Sequence, residues 1–127
     1  MPLNESYFVR KLKTYLEAQL PQSVVIKHAD AVTAGIPDLS VSWNHKTTWL
    51  EVKVSRNGGP LRDREVQRLS LRRMGTAASC YYVIFEVGNP RTIIVPPSRV
   101  SEWMSWPDHV MGHNYGYIIN FVKELHS

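Results

Sequence analysis

The apolar positions of the chain change period several times, and each change marks an element. From Asn4, in N-cap position, Phe8, Leu12, Tyr15, Leu16 and Gln19 or Leu20 recur at helical spacing as far as Pro21, which closes a first amphipathic helix. Ser23 to His28 (SVVIKH) then reads as a strand, and the small residues Ala29 to Gly35 as the loop that leads into Pro37 and Asp38. Ser40 to Trp43 alternate small polar with apolar residues, Asn44 to Lys46 supply a turn, and Thr47 to Val54 resume a β-branched and aromatic run. Two strands so joined are antiparallel neighbours. Helical periodicity returns from Leu61 to Met74, with Pro60 near its start and Gly75 as its stop. Ser79 to Val87 is a strong strand, turned by Gly88, Asn89 and Pro90 into another, Arg91 to Val95. A short helix follows to Trp106 with Ser98 as N-cap, and the tail YGYIINFVKELH suits a helix through Ile118, Phe121, Val122 and Leu125, although Tyr115 to Phe121 also fit a strand. The order of elements predicts one α/β domain over residues 1–127, a central mixed sheet flanked by helices.

The predicted hairpin carries the chemistry. It brings Asp38, at the start of one strand, and Glu51, near the end of the other, to the same open end. Glu51 and Lys53 are two apart and leave the same face of the sheet, while Leu50, Val52 and Val54 leave the other face for a core. Two acids at one strand end suit a hard cation such as Mg²⁺, and the lysine can orient a water or offset charge on a phosphate.

Pro37, Asp38, Glu51, Val52 and Lys53 resemble the PD-(D/E)XK nuclease superfamily, and Gly35, Ile36, Pro37, Asp38 and Leu39 are similar to its VRR-Nuc branch; the resemblance runs from Asn4 to Val87. It implies a restriction-endonuclease-like core and a Mg²⁺-dependent endodeoxyribonuclease, with Mn²⁺ as a substitute ion. Asp38 and Glu51 would hold the metal with the Val52 carbonyl, and Lys53 would position the attacking water. An N-terminal helix glutamate joins the metal site in that family. Glu5 is the first candidate, its alternative role being first-turn dipole stabilisation, and Glu17 is the second. Gln67, which shares its ridge with Leu71 and Met74 and so needs a buried partner, would orient the lysine or the water. Short stand-alone VRR-Nuc proteins resemble phage-encoded resolvases that act as homodimers on branched DNA, which makes a structure-selective endonuclease the expected function. Two alternatives are a nucleic-acid-binding protein of the same fold without turnover, and a restriction or repair nuclease acting on duplex DNA.

Composition sharpens this only a little. Apolar residues make up 43% and charged residues 20%, which excludes a disordered chain. Fifteen Lys and Arg against eleven Asp and Glu favour a polyanionic partner mildly. The basic residues are more telling by position. Arg56 and Arg62 lie in the Gly-rich loop SRNGGPLRDRE, and Arg64, Arg68 and Arg72 step by four along one ridge, an arrangement better suited to phosphates than to mutual repulsion, with Asp63 and Glu65 able to soften it. Cys80 is the only cysteine, has no disulfide partner in the chain and reads as a buried, inert thiol. Solvent-facing roles suit Lys27 and His28, packing roles suit the four tryptophans, and the His109/His113 pair lacks a third zinc ligand. No apolar run is long enough to cross a bilayer and the N-terminus does not read as a signal peptide, so the expected location is intracellular, the host cytoplasm for a phage protein.

Overall fold

The computed structural model describes residues 3–28 and 35–127. The loop expected over Ala29 to Gly35 therefore lies, but for Gly35, outside the described residues. Three α-helices, α1 (Glu5–Gln19), α2 (Glu65–Ala77) and α3 (Tyr115–His126), pack on a six-stranded mixed sheet. Its strands are β1 (Val24–Lys27), β2 (Leu39–Trp43), β3 (Lys46–Arg56), β4 (Ser79–Val87), β5 (Arg91–Val95) and β6 (His109–Met111), in sequential order across the sheet. Every neighbouring pair is antiparallel except β3 and β4, which run parallel with α2 as the crossover between them.

β4 is apolar on both faces because both faces of the sheet are covered. On one side Leu50, Val52 and Val54 of β3 join Phe8, Leu12 and Leu16 of α1 and Ile118, Ile119 and Val122 of α3 in the larger core. On the other side Leu71 of α2 packs with Cys80, Tyr82 and Ile84 of β4, and with Val100 and Trp103 from a 3₁₀ segment, Pro97–Ser105. Asn4 caps α1 by accepting the Tyr7 N–H (2.9 Å), and Asn114 caps α3 from Tyr117 in the same way. The end of α3 is fastened to the β2–β3 hairpin. Fully buried His126 shares a hydrogen bond with Thr48 Oγ1 through Nε2 (2.7 Å), and its Nδ1 donates to the Trp43 carbonyl (2.8 Å).

Several boundaries differ from those the sequence suggests, each for a local reason. Lys46 belongs to β3, paired with Trp43, because Asn44 and His45 both take left-handed φ (54° and 62°) and close a two-residue turn. α2 starts at Glu65 rather than Leu61, since residues 61–64 form no helical turn and Arg64 is extended, and it passes Gly75 to end at Ala77. Gly75 is a packing glycine: a Cβ there would lie 3.1 Å from Pro97. Ser98 is not a cap. Pro96 holds that position without a side-chain bond, and non-helical Glu102 divides the segment, so it is 3₁₀ rather than α. β6 goes unsignalled in the sequence because it is three residues long at the sheet edge.

Gly35 sets the approach to Asp38. It takes φ +98°, and a Cβ there would lie 2.3 Å from Ser70 Cβ of α2. Gly35→Ala combines left-handed strain with a clash, and should lower stability by about 2–4 kcal/mol. The expected readout is a lower urea midpoint at unchanged slope; an unshifted midpoint contradicts the packing.

Candidate active site

Asp38 precedes β2 by one residue, and Leu39 pairs with Leu50, so Asp38 falls beside Glu51. Glu51 stands in the middle of the long β3 rather than near its end. Backbone and side chains of the two residues interlock: the Asp38 N–H donates to Glu51 Oε1 (3.2 Å), and the Val52 N–H donates to Asp38 Oδ2 (2.8 Å). The hairpin thus brings the two acids together as the sequence implied.

Lys53 follows Glu51 on the same face, beneath α2. Both are almost fully buried, at 3% exposure each, so neither can rely on water. Lys53 Nζ donates to the Arg62 carbonyl (2.7 Å) and to Gln67 Oε1 (3.0 Å), and lies 3.2 Å from Glu51 Oε2. Gln67 Nε2 donates to that same Glu51 oxygen (2.9 Å). The Gln67 amide meets both neighbours at once, an acceptor toward the ammonium and a donor toward the carboxylate. The buried partner that its position required is therefore the site itself.

Burial is the largest influence on the acids. It pushes Glu51 up to about 8, the negative charge of Asp38 adds to the rise, and Lys53 only partly opposes it. Asp38 is raised too, again by burial first, with the Val52 N–H and Lys53 pulling it down. Ionised together, the two acids would carry more negative charge than one lysine compensates.

Glu5 lies on α1, which packs on the Val52 and Val54 face, opposite the face that carries Glu51 and Lys53. Its carboxyl nevertheless feels the site: burial raises it first, Lys53 lowers it, Asp38 raises it further and the Val54 backbone lowers it. Among the described residues no three His, Cys, Asp or Glu side chains form a group able to hold a metal ion. Glu17 is exposed and pairs with Lys13 (3.1 Å) on the outer face of α1, away from the acids. A cleft of about 660 Å³ opens between the start of α1 and the loop after β3, lined by Glu5, Val54, Arg56, Gly59 and Arg62 among others. It adjoins the buried centre through Glu5, Val54 and Arg62.

Arg64, Arg68 and Arg72 do not all lie on the helix, because α2 begins after Arg64. Arg64 occupies the N-cap of α2 and is exposed, Arg68 is paired with Asp63 (2.6 Å), and Arg72 is exposed further along. Arg56 donates to the Leu3 carbonyl (2.6 Å), and Arg62 lines the cleft while its carbonyl holds Lys53. This last contact was invisible in the sequence, because a backbone carbonyl carries no residue signature. His28 is half-buried just beyond β1 rather than solvent-facing, whereas Lys27 is exposed as expected. His28 Nε2 lies 2.8 Å from Ser40 Oγ, His113 Nε2 donates to the Glu86 carbonyl (2.7 Å), and burial pushes the Cys80 thiol up to about 12. Trp103 is in the core beneath α2 with Trp49 and Trp106 partly buried against it, and Trp43 is partly buried against the larger core. Among the described residues no helix is long and apolar enough to cross a membrane.

No protein-family model matches the sequence, and no curated protein is significantly similar to it.

The raised Glu51 carboxyl fixes a sign for stability against pH. A group that binds its proton more tightly in the folded state contributes stability below its unfolded value, here 4.5, and loses it as pH rises toward about 8. Unfolding free energy of the metal-free wild type should fall across that window, whereas Glu51→Gln, which cannot titrate there, should show a flatter profile. Urea titrations across the window check this; parallel profiles refute it.

Proposed function

We propose that the chain is a metal-dependent endonuclease hydrolysing phosphodiester bonds in DNA, selective for branched substrates and active as a homodimer. The observation that carries the reading is the convergence of Asp38, Glu51, Lys53 and Gln67 on one buried, hydrogen-bonded centre beside an Arg-lined cleft. A mixed sheet with helices on both faces is compatible with a restriction-endonuclease-like core. The preference for branched DNA and the dimer follow from the VRR-Nuc resemblance of residues 35–53.

The donor set fits Mg²⁺, with Mn²⁺ as substitute: carboxylate oxygens short of positive charge are what a hard cation seeks. Asp38 and Glu51 would hold it with the Val52 carbonyl, and Glu5 would complete the set from the α1 side. The ion, when bound, supplies charge neutralisation at the phosphate and a more acidic bound water. Lys53 would hold the attacking water or a phosphate oxygen, and Gln67 would keep the ammonium aimed while the carboxylate is otherwise engaged. Arg56, Arg62, Arg64, Arg68 and Arg72 would meet the DNA backbone.

The rival reading, a nucleic-acid binder of the same fold without turnover, is favoured by one feature: Lys53 already faces three acceptors within the protein. Single-turnover cleavage of four-way and linear DNA with Mg²⁺ separates the two. Asp38→Asn, which keeps an oxygen for the Val52 N–H, and Lys53→Met, which keeps the buried stem, should each lose about 10²-fold or more in rate. A wild type as inactive as the variants supports the binder, and variants that cut as fast as wild type remove the site from the reaction.

A further inference from the structure

Asp63 is an acid in an unusual position. Its side chain is only 5% exposed, whereas the side chain of Arg68, which it binds, is 37% exposed. An ordinary surface pair has both ends in water and contributes little. Here the anion is tucked in and the cation projects.

The contact is specific as well. Arg68 Nε donates to Asp63 Oδ2 at 2.6 Å, and its two Nη groups have no acceptor among the described residues. Since a guanidinium is planar and rigid, fixing Nε fixes the direction of the Nη pair. That pair matches a phosphate bidentately. Asp63 is itself pinned, because the carbonyl of the preceding residue, Arg62, accepts Lys53 Nζ at 2.7 Å. Arg68 is pinned at its backbone by an N–H···O bond to the Arg64 carbonyl (3.0 Å), and its neighbour Gln67 reaches Lys53 and Glu51. A line of contacts therefore runs from the buried lysine through residues 62 and 63 to the outward edge of Arg68. On the sheet side, Tyr82 lies opposite Glu51 in register, with a buried hydroxyl that has no partner among the described residues. Burial first, and then the charge of Asp63, raise that phenol above its usual range, consistent with a dry floor close to the pair.

We propose that Asp63 is a positioning residue that holds Arg68 as a preset fork for a DNA backbone phosphate next to the cleaved one. This rests on DNA being the partner. It makes a prediction against simple electrostatics, because removing an acid from a protein that binds a polyanion ordinarily tightens binding.

The test uses the full chain and a labelled four-way DNA junction, with Ca²⁺ replacing Mg²⁺ to prevent cutting. Asp63→Asn should weaken binding by about threefold to tenfold despite the gain in net charge, and Arg68→Ala by a similar factor with a salt slope smaller by about one. In the Arg68→Ala background Asp63→Asn should change sign and bind slightly tighter, because only the charge effect is left. Arg68→Lys gives an independent measurement: one ammonium cannot stay on Asp63 and fork a phosphate, so it should weaken binding as Arg68→Ala does. Asp63→Asn binding as well as or better than wild type, or Arg68→Lys binding like wild type, overturns the positioning role and leaves the DNA reading intact. A wild type that does not bind the junction overturns both.

Discussion

A buried Lys53–Glu51 pair on the central strand is the constraint around which this structure closes. The ammonium and carboxylate leave the same face of β3, at 3% exposure, into a space capped by α2. Removing two such ions from water costs several kcal/mol each, and their attraction offsets this only when the remaining donors and acceptors are satisfied. Gln67 and the Arg62 carbonyl provide those partners, so α2 and the segment before it have their positions set by the polar centre as much as by Leu71. The late start of α2 follows from this. Residues 61–64 stay out of the helix, which leaves the Arg62 carbonyl free for Lys53; a helix begun at Leu61 would commit that carbonyl to its own ladder.

Legibility in the sequence tracked the range of the interaction. Strand alternation identified the Glu51 and Lys53 face, and a Gln on the Leu71 ridge betrayed a buried partner, since period alone fixes which residues share a side. Asn4, with the apolar positions after it, marked α1 correctly. Failures arose where backbone geometry or distant packing decided. Gly75 looked like a helix stop but is small because Pro97 lies against it. The arginine ridge assumed that Arg64 was helical and that Asp63 merely softened repulsion, whereas Arg64 is a cap and Asp63 binds Arg68 directly. Glu5 was placed on the inner edge of its helix, and its carboxyl does sense Asp38 and Lys53. Spacing within one helix could not reveal that this helix covers the opposite face of the sheet from the acids.

That separation of faces bears on the chemistry. Glu51 and Lys53 rise under α2, Glu5 comes in under α1, and the cleft opens where the two layers meet beyond Val54. Asp38 is common to both surroundings, being coupled to Glu51 by register and to Glu5 by charge. An ion or phosphate entering from the cleft would meet Glu5 and the arginines first and the buried pair last. Under the proposed function the outer groups would serve capture and the inner, more buried ones the chemistry.

The polar centre is also hard to account for as a device for stability. Where the aim is a firm core, apolar residues of similar volume in place of a buried ion pair are often neutral or stabilising. The surrounding strand positions, Leu50, Val52, Tyr82 and Ile84, supply such residues freely. Glu51 and Asp38 are instead kept adjacent, each with its proton affinity raised by burial, beneath one lysine that cannot neutralise both. An arrangement that leaves two carboxylates short of positive charge costs folding energy in the metal-free chain. Under the proposed function a bound cation would relieve the same shortage, and the energy withheld from the fold would become affinity for the ion.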